Sequence, residues 1–140
     1  RCDLLPLATV ATPNIPEASE LSGISITSSD DARAAARVIN DFGVNYVIVK
    51  GGHLETSGQS VDLLYDGETF IEFALPWISS TSNHGTGCTF ASALAARLAL
   101  GDEVQAAFSS AKKYVWEAMN AAYAVGEGHG PLNHMWRHPK

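Results

Sequence analysis

The residues Asn83-His84-Gly85-Thr86-Gly87-Cys88-Thr89 hold the densest chemistry in this chain, and they run straight into an Ala- and Leu-rich stretch of helical spacing. Glycines let backbone N–H groups approach an anion with no Cβ in the way. The amino terminus of a helix adds unpaired donors and a partial positive charge. Negative charge developing on a transferring phosphoryl group would be stabilised there. Cys88 falls at the first turn, where it could hold a substrate hydroxyl and take its proton. The pattern also suits a plain glycine turn followed by a buried cysteine acting as a small hydrophobe. Gly-x-Gly before a helix is common.

Two further places stand out by residue type and position. Lys50 ends the apolar run Val44–Val49 and precedes Gly51-Gly52. A cation at the carboxyl end of a sheet strand faces the usual ligand crevice; a solvated strand-end lysine is the other reading. Asn14 and Glu17 flank Pro16 at a helix start. Glu17 is an ordinary first-turn acid in that setting. His53, His129 and His134 are not spaced as a compact site, so no transition-metal site is expected.

The elements that must position these residues follow from punctuation and period. Leu7–Thr12 reads as a buried strand stopped by Pro13. A short helix runs from Pro16 to Gly23. A second opens at Ser28-Ser29-Asp30-Asp31, with its acids on the positive end of the dipole, and closes at Gly43. Ser60–Tyr65 and Thr69–Leu75 flank Asp66-Gly67, a strong hairpin signal. Thr86–Leu100 is a helix closed by Gly101. A long helix then begins at Asp102, with Val104, Ala107, Phe108, Ala111, Val115, Ala118, Met119 and Ala122 on one face. The order β-α-α-β-β-β-α-α indicates a layered α/β fold whose mixed sheet contains one hairpin, within one domain over residues 1–140.

Bulk properties set limits. The chain of 140 residues is 46% hydrophobic and 17% charged, with 15 acids against 9 bases and a net charge of −6. Its basic residues are scattered rather than striped, so a nucleic-acid partner is not expected. No apolar run reaches the roughly 18 residues of a membrane span. Cys2 and Cys88 form no disulfide framework, and a reducing cytoplasmic setting is the default. The first residue is Arg1, and the opening stretch looks like a loop between elements, so a piece of a longer protein is expected.

Four ordered blocks carry a family resemblance. His84-Gly85-Thr86-Gly87-Cys88-Thr89 resembles the carboxy-terminal signature of hydroxymethylpyrimidine and hydroxymethylpyrimidine phosphate kinases, a branch of the ribokinase-like superfamily with a Rossmann-like layered fold. Leu4–Thr9 leading into Thr12–Ala18, then Val49-Lys50-Gly51-Gly52-His53, and last Gly128–His134 match in the same order. The resemblance covers nearly the whole chain and identifies it as the carboxy-terminal, nucleotide-handling half. It implies ATP and Mg²⁺ as cofactors and Cys88 as the catalytic residue. Gly85, Thr86, Gly87 and Lys50 would lie at the phosphates, with Asn14 and Glu17 near the magnesium-bound phosphates. It implies transfer of the γ-phosphoryl of ATP to a hydroxymethylpyrimidine or its monophosphate, in thiamine biosynthesis. The partners implied are the nucleotide, a small-molecule substrate and the absent amino-terminal half; a homodimer is compatible. Most of the superfamily has Asp where Cys88 stands. An Asp-Thr pair often precedes the glycine turn in the family, whereas Ser79-Ser80-Thr81-Ser82 stands here. The alternatives are a pyridoxal kinase of the same branch, a non-catalytic nucleotide-binding fragment, and a cysteine hydrolase using Cys88 with a histidine.

Overall fold

The computed structural model of the protein describes residues 2–51, 58–80, 84–123, 128 and 130–137. They fall into two compact units, Arg1–Pro76 and Trp77–Lys140.

The first unit is a four-stranded sheet with two helices. Its strands are β1 (Val10–Ala11), β2 (Tyr46–Lys50), β3 (Gln59–Tyr65) and β4 (Phe70–Pro76), in the spatial order β1-β2-β3-β4. β1 and β2 are parallel, and the other neighbours are antiparallel. A parallel pair needs a long crossover; here helices α1 (Ile15–Ser22) and α2 (Ser29–Asn40) supply it. Each helix opens on a capping box: Asn14 with Glu17, and Ser28 with Asp31. Gly23 closes α1 in the left-handed conformation, at φ +76°, which costs glycine little. The core joins Ile15 and Ala18 of α1, Ala32, Ala35, Ala36 and Ile39 of α2, and Val47, Val49, Leu63 and Tyr65 of the sheet. The intervening Ile48 and Leu64 are buried as well. β2 is thus buried on both faces, which explains its unbroken apolar run.

Two local expectations are revised. The segment Leu7–Thr12 is not one strand: a 3-10 turn takes Leu5–Leu7, and only Val10–Ala11 joins the sheet. Pro6 cannot donate to a ladder, and Leu7 is 82% exposed. In the hairpin, Asp66-Gly67 begins a four-residue connection, because Tyr65 pairs with Phe70. Asp66 shapes it by accepting from the Glu68 and Thr69 amides and the Thr69 hydroxyl.

The second unit pairs helix α3 (Thr86–Ala99) with helix α4 (Val104–Asn120). They turn at Gly101, at φ +92°. α4 starts two residues later than Asp102, whose carboxylate is taken by Arg97 of α3. Phe90 meets Phe108 edge to face, with ring centroids 6.3 Å apart, and the small buried Ala107 and Ala111 allow close approach. Of the expected α4 face, Ala107, Phe108, Ala111 and Ala118 are buried, and Lys112 is buried with them. The tail returns to the end of α4: the Asn133 amide and side chain donate to the carbonyls of Ala118 and Ala121. Among the described residues, no helix is long and apolar enough to cross a membrane.

Candidate phosphate-binding site

The glycine turn is built as an anion cradle would be. Gly85 is the N-cap of α3, in the left-handed conformation at φ +86° and ψ 3°. Its carbonyl accepts the Thr89 amide at 2.9 Å, so the helix is hydrogen-bonded from its first turn. The amides of Thr86, Gly87 and Cys88 precede that bond, where a helix offers no internal acceptor. No side chain caps this end, and no acid lies in the first turn. An anion placed there would meet no competing carboxylate from that turn, and it would meet the positive end of the dipole. Cys88 is exposed rather than packed inside this unit.

The tail adds a contact that the order of blocks along the chain does not reveal. His84 forms a parallel bridge with Pro131, so two of the four family blocks meet at the glycine turn. His134 has another use: its ring stacks on Tyr114 at a centroid distance of 6.4 Å. His53, His129, Gly52 and the Thr81–Asn83 stretch lie outside the described residues.

In the first unit, Asn14, Glu17 and Lys50 come together at one end of the sheet. Asn14 bridges Lys50 in parallel register, and the Lys50 amide donates to the Pro13 carbonyl at 2.9 Å. Lys50 is half-buried at the carboxyl end of β2. The Asn14 side chain accepts the Glu17 amide, and a Glu17 carboxylate oxygen accepts the Asn14 amide. The first-turn role of Glu17 is therefore real. One hydrogen bond leaves acceptor capacity on a carboxylate, which can take about four. These hard oxygens suit Mg²⁺, which is usually held by one or two carboxylates together with water and substrate phosphates. Among the described residues, no three His, Cys, Asp or Glu side chains converge as a protein-only metal cage.

A buried carboxylate beside Lys50 was missed from the sequence. Asp62 of β3 is 6% exposed and lies opposite Lys50 in the ladder. Its signal was an acid inside the apolar strand run Val61–Tyr65.

Comparison with known proteins defines the class. The chain superimposes on Staphylococcus aureus pyridoxal kinase in complex with AMP-PCP with a TM-score of 0.92 and 41% identity, covering 96% of this chain and 50% of that one. The fold is that of the ribokinase-like kinases, as the sequence led us to expect. Within that class, the family model for phosphomethylpyrimidine kinase matches residues 1–133, and the chain belongs to that family. It is 44% identical to a Bacillus subtilis hydroxymethylpyrimidine/phosphomethylpyrimidine kinase over 94% of this chain and 48% of the relative. It is 49% identical to the thiamine biosynthesis bifunctional protein ThiED of Geobacter sulfurreducens, over 94% of this chain and 27% of that protein. The chain spans about half the length of most curated relatives it matches, and about a quarter of the bifunctional one.

Proposed function

We propose that this chain is the nucleotide-handling part of an ATP-dependent kinase that phosphorylates hydroxymethylpyrimidine or its monophosphate. The observation that carries this reading is the uncapped, acid-free first turn of α3 behind left-handed Gly85. Family membership supports the substrate class. The amides at Thr86, Gly87 and Cys88 would hold the transferring phosphoryl group. Cys88 would accept the proton of the substrate hydroxyl as that oxygen bonds to phosphorus and the bond to the leaving ADP oxygen breaks. Lys50 would balance phosphate charge. Asn14 and Glu17 would hold Mg²⁺, through water where the capping box occupies them, and charge on the phosphates would be neutralised there. The nucleotide and a small heteroaromatic alcohol are the partners of this reading. Two cysteines with no disulfide framework fit a reducing, cytoplasmic setting.

A pyridoxal kinase is the second reading, favoured by the close fit to the S. aureus enzyme. Parallel assays of the native-length protein with hydroxymethylpyrimidine phosphate and with pyridoxal separate the two. The phosphate site itself is tested by Gly87→Val, which places a branched side chain where an anion would meet backbone. Nucleotide affinity should fall while the melting temperature changes little. Unaltered nucleotide binding by the folded variant removes the anion-cradle reading.

A further inference from the structure

We infer that Asp62 is a positioning residue, whose buried carboxylate fixes the end of β2 that presents Lys50. The inference rests on the reading of Lys50 as a phosphate-binding residue and names what holds that residue in place. The β2–β3 ladder ends at the pair Lys50↔Asp62. Gly51 is the first residue past it, and its amide donates to Asp62 Oδ1 at 2.9 Å. The side chain thus takes over from the ladder where the backbone pairing stops. Asp62 is 6% exposed, and burying a carboxylate is costly unless it is hydrogen-bonded. Holding the buried Gly51 amide gives a reason for an acid between Val61 and Leu63, because an unpaired amide is also costly.

The preceding residue of β3 constrains the same point. A Cβ on Gly51 would come within 1.9 Å of the Val61 carbonyl oxygen. Gly51 is therefore pinned by two consecutive residues of β3, one by close approach and one by a hydrogen bond. One peptide bond away, the Lys50 amide is tied to the Pro13 carbonyl, and Lys50 bridges Asn14. Position set at Asp62 passes through Gly51 to Lys50, and from Lys50 to the loop that opens α1. Asp62 acts through these residues and touches no reacting atom.

The test uses the native-length protein with three substitutions. Asp62→Asn keeps an acceptor for the Gly51 amide, Asp62→Leu keeps the volume without the acceptor, and Asp62→Ser leaves a hydroxyl too short to reach. Hydrogen exchange at the Gly51 amide and the KM for ATP are read beside kcat and thermal melting. In Asp62→Leu the Gly51 amide should exchange about tenfold faster, and the KM for ATP should rise about tenfold, more than kcat falls. Asp62→Asn should stay within about threefold of wild type on both readouts. If Asp62→Leu does not fold, Asp62→Ser carries the same expectation. The inference is overturned if the acceptor-less variant folds with an unchanged KM for ATP, or if Asp62→Asn exposes Gly51 as fully as Asp62→Leu. If the wild-type protein binds no nucleotide, the phosphate-site reading fails. Gly51 exchange would still decide whether Asp62 holds the strand end.

Discussion

Asn14 and Glu17 hold each other's backbone amides across the first turn of α1, through two hydrogen bonds of 2.8 Å each. This reciprocity lets stability and function be separated at one helix end. Asn14→Ala should destabilise the protein by about 1 kcal/mol, the usual loss for an N-cap. Glu17→Gln keeps a competent capping-box partner, so its melting temperature should match wild type. If Glu17 also serves Mg²⁺, the same variant should bind magnesium–nucleotide about tenfold more weakly. Equal affinity in Glu17→Gln and wild type would leave Glu17 with the cap alone.

Cys88 can be tested by labelling and by kinetics. Cys2 and Cys88 are both exposed, so a Cys2→Ser background is needed. In it, nucleotide should slow alkylation of Cys88 by iodoacetamide, whereas a cysteine hydrolase would trap an acyl adduct at this position. In the native-length protein, Cys88→Ala should lower kcat by about 10²–10⁴, the usual share of a general base. ATP affinity should change far less, since the glycine turn remains. Wild-type turnover by Cys88→Ala would end the catalytic assignment.

The 140-residue chain by itself should show no turnover with ATP, Mg²⁺ and hydroxymethylpyrimidine phosphate. The motivating fact is that it aligns with about half of the B. subtilis kinase. Steady-state product formation by the purified chain would refute this expectation.

Gly51→Ala should destabilise the first unit by about 1–3 kcal/mol, because the new methyl collides with the Val61 backbone rather than with a movable side chain. Gly23→Ala is the comparison: nothing lies within 4 Å of its added Cβ, so only left-handed strain is felt, about 1–2 kcal/mol. Chemical denaturation of both variants checks the pair. A fully stable Gly51→Ala would refute the close approach.

Acid should destabilise the protein partly through Asp31 and Asp66. The Thr27 amide, then the Ser28 and Thr27 side chains, hold Asp31 below the ordinary carboxylate range. The amides of Thr69 and Glu68, then the Thr69 hydroxyl, do the same for Asp66. A carboxylate whose folded-state pKa is depressed contributes stability above its unfolded pKa, and loses it as pH falls through the folded value. The loss should therefore set in below about pH 4. Asp31→Asn and Asp66→Asn should each flatten the fall in melting temperature between about pH 4 and pH 2. An unchanged slope in both variants would show that these carboxylates do not contribute.

The local order of elements was readable because its signals are local. Asn14 and Ser28 start helices through their own side chains, Gly23 and Gly101 stop or turn the chain through their own backbone freedom, and Asp66 shapes its own loop. The glycine turn before α3 was legible for the same reason, since Gly85 needs no distant partner to adopt its conformation. Leu7 was misread because an apolar residue beside Pro6 looks like buried strand until exposure is measured. Tertiary structure alone decided that Asn14 meets Lys50, that His84 meets Pro131, and that Asp62 reaches Gly51. These partners are separated along the chain by 36, 47 and 11 residues respectively. A side-chain pattern records what a residue prefers within a turn or two. Strand register and the return of a tail are set by how whole faces bury against one another, and that is settled only when the chain has packed.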